Sequence, residues 1–175
     1  MRGFRFYAAA KMTVIHSAEF AQEAKELKGS IPLAQLSRLH DQLADTSGEV
    51  HWHIEGGVDR LQRLWLYLEV TGDLQLVCQR CLTGVPWPLH SETVLTQFTS
   101  EADIDEAEAI DEDLEGMLID PALDIEALVE DEILLALPIA PTHTQCSDKD
   151  ALAKLASDKP NPFAVLAQLK TRKAE

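Results

Sequence analysis

The sequence predicts an α+β domain in which an antiparallel meander of about four or five strands carries packed N- and C-terminal helices and an acidic loop. Apolar residues recur at helical spacing on either side of a central stretch, Val50 to Phe98, where they alternate instead. Beyond that stretch the chain turns strongly acidic. With 175 residues and an apolar share of 46%, it can build one sizeable core. A single domain is therefore expected over 14–175, preceded by an unstructured extension over 1–13 in which Met12 offers a second start.

Ser17 can cap a first helix reaching Lys28, with Phe20, Ala21, Ala24 and Leu27 on one face and Gly29 at its end. Pro32, in a first turn, opens a second helix whose stripe is Leu33, Leu36, Leu39 and Leu43 and which stops near Thr46-Ser47-Gly48. The period then becomes two. Val50, Trp52 and Ile54 alternate with His51, His53 and Glu55 before a turn at Gly56-Gly57. In the next strand Leu64, Leu66, Leu68 and Val70 oppose Trp65, Tyr67 and Glu69. Thr71-Gly72-Asp73 reads as a turn into Leu74-Gln75-Leu76-Val77, and a break at Pro86-Trp87-Pro88 precedes a last strand over Thr93 to Phe98. Short turns between successive strands favour antiparallel pairing.

Glu101 to Glu115 holds nine acidic residues and no basic one, which predicts a mobile loop near 100–118 with a short strand near Ile110. Asp120-Pro121 or Asp124 then starts a helix with Ile125, Leu128, Val129, Ile133, Ala136 and Leu137 on its inner stripe, and Glu126, Glu130 and Asp131 outside. Pro138 ends it. Asn161 and Pro162 have the cap and first-turn chemistry of a final short helix.

Charge is segregated. Cys81 to Asp148 contains 17 acidic residues and no Lys or Arg, so the net charge of −15 comes from the middle of the chain. Such a segment repels a polyanion and attracts a basic protein, although a solvated acidic loop also serves solubility alone. Glu101, Asp103, Asp105 and Glu106 are its candidate contact residues; Lys170, Arg172 and Lys173 supply a basic end that suits phosphate. No run of about 18 apolar residues appears, so no membrane span is expected.

Three cysteines remain. Cys78-Gln79-Arg80-Cys81 follows a strand, and Cys146 stands three residues after His143. Cys78, Cys81, His143 and Cys146 have the types and pairwise spacing of a Cys3His structural zinc site; the other reading is reduced thiols at a hairpin tip. Redox chemistry prefers a Cys-x-x-Cys that opens a helix, which this one does not. Arg80 can reach a phosphate or carboxylate on a partner, or pair within the chain. His51, His53 and His90 could join a site or remain exposed strand histidines. With an odd number of cysteines and an opening apolar patch too short for a signal peptide, a reducing cytoplasm is expected. No phosphate-binding glycine loop or His-Glu-x-x-His helix is present, and solvated carboxylates make poor general acids, so no enzyme is expected.

Three segments together resemble the YceD family of large ribosomal RNA subunit accumulation proteins: Leu76-Val77-Cys78-Gln79-Arg80-Cys81-Leu82, the helix from Asp124 to Pro138, and Lys159-Pro160-Asn161-Pro162-Phe163-Ala164-Val165-Leu166. The resemblance spans about Val14 to Lys173. It implies a bacterial cytoplasmic protein that supports 23S ribosomal RNA accumulation or large-subunit assembly, without enzymatic activity or small-molecule substrate. The gene in that family commonly neighbours one for a small zinc-binding protein of the large subunit. Many relatives carry a further cysteine cluster after the Leu-Pro, where this chain keeps His143 and Cys146. The partner would be a large-subunit ribosomal protein or 23S ribosomal RNA, met through the acidic residues or through Arg80 and the basic end. The alternative is a thiol redox protein or zinc-stapled adaptor.

Overall fold

Three long strands dominate the fold, and each runs through turn signals in its sequence. The computed structural model describes residues 14–146. In chain order it contains β1 (Val14–Ile15), α1 (Ser17–Gln22), β2 (Glu26–Pro32), a 3-10 turn (Ser37–Leu39), β3 (Leu43–Asp45) and β4 (Glu49–Val58). There follow β5 (Leu64–Val77), β6 (Gly84–Phe98), α2 (Glu101–Ile110), β7 (Glu115–Leu118), β8 (Leu123–Asp124) and α3 (Ile125–Ala136). The extension over 1–13, the helix expected at Asn161 and the basic residues Lys170, Arg172 and Lys173 lie outside the described residues.

The class is α+β, as expected. The main sheet has six strands in the order β2-β4-β5-β6-β7, with β3 pairing the far end of β5; β1 and β8 form a separate pair. All pairings are antiparallel except β6 with β7, which α2 connects as a crossover. Residues predicted as turns lie inside strands. Gly56 and Gly57 belong to β4, where they admit neighbours: a Cβ on Gly56 would sit 2.7 Å from the Ala21 Cα, and one on Gly57 would enter the Trp65 ring. Gly72 belongs to β5. Pro86 and Pro88 belong to β6, whose second edge meets β7 only from Leu95 onward, so their missing N–H groups break no ladder there.

The first helix is shorter than expected. It ends at Gln22, the chain reverses through Ala24 at φ 48°, and Glu26–Pro32 joins β4 as a strand with Leu27 opposite Ile54 and Ile31 opposite Val50. His16, not Ser17, caps it; Ser17 is buried and its Oγ accepts a 2.9 Å bond from the Asp120 N–H. The second helix is also absent. Leu33, Leu36 and Leu39 are buried as the stripe required, but in successive tight turns whose three-residue period matches their spacing, and Leu43 begins β3.

One face of the sheet holds the core. Val50, Trp52 and Ile54 of β4, Leu66, Leu68, Val70, Leu74 and Leu76 of β5, and Leu89 of β6 meet Phe20 and Ala21 of α1 and Ile125, Val129 and Ile133 of α3. Each such side chain, fully buried, contributes roughly 1.5–3 kcal/mol. Asp124 caps α3 by accepting from the Glu126 N–H at 2.9 Å. Glu130 is not on the outer face. It is buried and accepts the Arg38 N–H at 2.7 Å, tying the 3-10 turn to α3.

The acidic loop is likewise structured. Ser100 caps α2, accepting from the Asp103 N–H, and the Ala- and Glu-rich run that follows favours a helix. No α2 residue is fully buried; Ile104 packs over Gly116 of β7, where a Cβ would lie 2.5 Å from its Cγ2. The short strand expected near Ile110 is not there, because Ile110 ends α2; the strand of this segment is Glu115–Leu118, paired with β6. No helix among the described residues is long and apolar enough to cross a membrane.

Candidate metal centre

β5 ends one residue before Cys78, and β6 starts at Gly84, so the cysteine box is the connection between two core strands. The Cys78 N–H donates to the Thr83 carbonyl at 2.9 Å and the Leu82 N–H to the Cys78 carbonyl at 2.9 Å, which closes the turn. Closure puts Leu82 in the left-handed region, at φ 61°. L residues reach that region at a cost of roughly 1–2 kcal/mol, so something beyond local preference holds this turn.

The second half arrives from behind α3. The helix ends at Ala136, Pro138 prevents its continuation, and the chain returns so that the Gln79 N–H donates to the Pro141 carbonyl at 2.9 Å. His143 and Cys146 thereby meet the cysteine box. The Cys78 and Cys146 sulfurs are 3.7 Å apart. His143 Nδ1 lies 3.4 Å from Cys81 Sγ and 3.9 Å from Cys146 Sγ. All four ligand atoms fall within 4.8 Å of one another, and the cysteines are free thiols.

Hydrogen bonds fix the chemistry of each group. His143 Nε2 is 2.9 Å from the Gly84 carbonyl, which can only accept, so Nε2 carries a proton and, in the neutral ring, Nδ1 has its lone pair toward the sulfurs. Cys78 is fully buried, which by itself raises a thiol pKa. Backbone N–H groups of Cys81, Arg80 and His143 outweigh that burial and bring it down to about 5. Thr83 lowers Cys81, chiefly through its hydroxyl. Burial raises Cys146, against the opposing pull of Arg80. The Cys78 and Cys81 sulfurs raise His143.

Arg80, expected to face a partner or pair within the chain, points its guanidinium at this cluster: Nε donates to Cys146 Sγ at 2.9 Å and Nη2 to the His143 carbonyl at 3.4 Å. Thr83, Gly84 and Pro141 also hold the cluster, and no sequence motif marks them, because their roles come from strand register and chain return. His51, His53 and His90 do not join. They stay on the open sheet face with carboxylates: His53 Nε2 is 3.0 Å from Glu26, and His90 groups with Glu69 and Glu92. Glu101, Asp103, Asp105 and Glu106 stand exposed along α2.

The chain matches the family model described as "Large ribosomal RNA subunit accumulation protein YceD" over residues 66–170. It is 30% identical over 162 residues to a protein of that name from Haemophilus influenzae, covering 87% of this chain and 91% of the relative. No solved structure matches it significantly.

Proposed function

Because this chain belongs to the YceD family of large ribosomal RNA subunit accumulation proteins, we propose that it supports accumulation of large-subunit ribosomal RNA by binding a basic protein of that subunit, without catalysis. The family is named for accumulation, not for an enzymatic reaction. The observation carrying the choice of partner is α2. It is a ten-residue helix with no fully buried side chain, and Glu101, Asp103, Asp105, Glu106 and Glu108 stand along it. Its role as the β6–β7 crossover, with Ile104 over Gly116, does not call for so many carboxylates, whereas like charges concentrated on one element create a potential that a cationic protein neutralises. The same potential repels RNA phosphates, so RNA is influenced through the protein delivered to it. The expected compartment is the cytoplasm, where ribosomal parts are made.

Crosslinking in cells, followed by identification of both proteins and RNA, tests this directly. Basic large-subunit proteins should be recovered in a salt-sensitive manner, and the combined change Glu101→Gln, Asp103→Asn, Asp105→Asn, Glu106→Gln should cut recovery severalfold. Unchanged recovery, or direct RNA crosslinks that persist without those proteins, would refute the reading.

A further inference from the structure

We propose that Cys78, Cys81, His143 and Cys146 bind one Zn2+ in a closed structural site, and that Arg80 is its charge-balancing outer partner. Independently of the proposed function, the case rests on distances. Thiolates about 2.3 Å from a tetrahedral zinc lie about 3.8 Å from each other, and a thiolate lies about 3.5 Å from an imidazole nitrogen bound at about 2.0 Å. The chain shows 3.7 Å between Cys78 and Cys146, and 3.4 Å and 3.9 Å from His143 Nδ1 to Cys81 and Cys146. Three of the six edges between these soft or borderline donors, which come from both ends of a long sequence separation, thus have tetrahedral length, and the other three do not exceed 4.8 Å.

The surroundings agree with the same ion. Gly84 fixes the histidine tautomer that leaves Nδ1 free to ligate, as an outer-shell carbonyl does at zinc sites. Three thiolates and one imidazole fill the coordination of zinc, leaving no position for water or substrate, so the site holds structure and does no chemistry. It also leaves an excess of negative charge, and the Arg80 guanidinium sits 2.9 Å from Cys146 to offset it. Cys78 is fully buried and cannot serve as an attacking sulfur, whereas Cys81 and Cys146 are partly exposed. The ion would join the connection between β5 and β6 to the segment leaving α3, beside the Gln79–Pro141 and His143–Gly84 bonds that already link them.

Metal analysis of the full chain, purified under reducing conditions with zinc supplied, should find one zinc per chain. Cobalt substitution should give the visible bands of a tetrahedral thiolate site. Replacing His143 by Ala or Cys146 by Ser should abolish stoichiometric binding, and wild-type cobalt spectra decide the question even where those variants fold poorly. Arg80→Gln should retain the metal but weaken it about 10–100-fold in competition with a chelator, with Arg80→Lys partly restoring it. A metal-free wild-type protein, an iron–sulfur spectrum, or a Cys78–Cys146 disulfide in its place would overturn the zinc site. Wild-type zinc with an unchanged Arg80→Gln affinity would overturn the role of Arg80 alone.

Discussion

The two ends of β5 are closed by turns that solve the same problem with opposite means. At residues 59–63, between β4 and β5, one carboxylate suffices: Asp59 accepts from the Leu61 and Arg63 N–H groups at 2.8 Å and from Arg63 Nε at 2.7 Å. At residues 78–83, between β5 and β6, the chain closes around sulfur, and its partners His143 and Cys146 lie more than sixty residues away. Each turn forces one side chain into the left-handed region, Gln62 at φ 64° and Leu82 at φ 61°. The first turn is complete within five residues, while the second is complete only when α3 has docked. A local turn can form early and independently; a tertiary one couples hairpin, helix and, with zinc bound, metal.

The comparison breaks most sharply with a chelator. With zinc in place at about a thousandfold above its dissociation constant, removal should cost about 4 kcal/mol of stability by denaturant unfolding, and Cys81→Ser should erase that difference. If chelator moves neither wild type nor variant, the second turn is as self-contained as the first. Asp59→Ala should cost about 1–3 kcal/mol, by the same measurement and regardless of chelator. Its pH dependence has a definite sign. Burial works against the Asp59 charge, but the Arg63 and Leu61 N–H groups and the Arg63 guanidinium outweigh it and hold the carboxyl below the ordinary aspartate range. That stabilisation is complete above the ordinary range and is lost as pH falls through the lower folded value, so the gap between wild type and Asp59→Ala should narrow on acidification.

Smaller effects sharpen the contrast. Leu82→Gly and Gln62→Gly should each be neutral or stabilising by up to about 1 kcal/mol, since relief of the left-handed backbone is partly cancelled by the added freedom of the unfolded chain. A marked loss on Leu82→Gly would mean the leucine side chain, 62% exposed, has a role in the turn. The four neutralised positions on α2 should change stability by no more than about 0.5 kcal/mol, as measured by thermal unfolding, while altering partner recovery. Stability and binding would then separate: turns and core for one, α2 for the other.

The sequence disclosed period more reliably than boundaries. Alternation in Leu64 to Val70 identified the face of β5 that the core covers, and the Leu33, Leu36, Leu39 spacing identified three buried residues while suggesting the wrong element for them. Glycines and prolines misled, because Gly56 answers to α1, Gly57 to Trp65, and Pro86 to the free edge of β6, neighbours invisible to a local pattern. For α2 the signal was present, in Ser100 three residues before Asp103 and a run of Ala and Glu, but charge density masked it.

By itself, then, the sequence determined the class of fold, the core residues of the central strands and α3, and the identity of the four candidate ligands. These depend on residue type and short spacing, which local physics reads directly. Tertiary structure alone decided that β5 runs unbroken past Gly72, that Arg80 turns toward Cys146, and that His143 and Cys146 reach the cysteine box. Those outcomes depend on where α3 ends and how its exit packs against the sheet, a sum of many contacts that no single stretch of sequence contains.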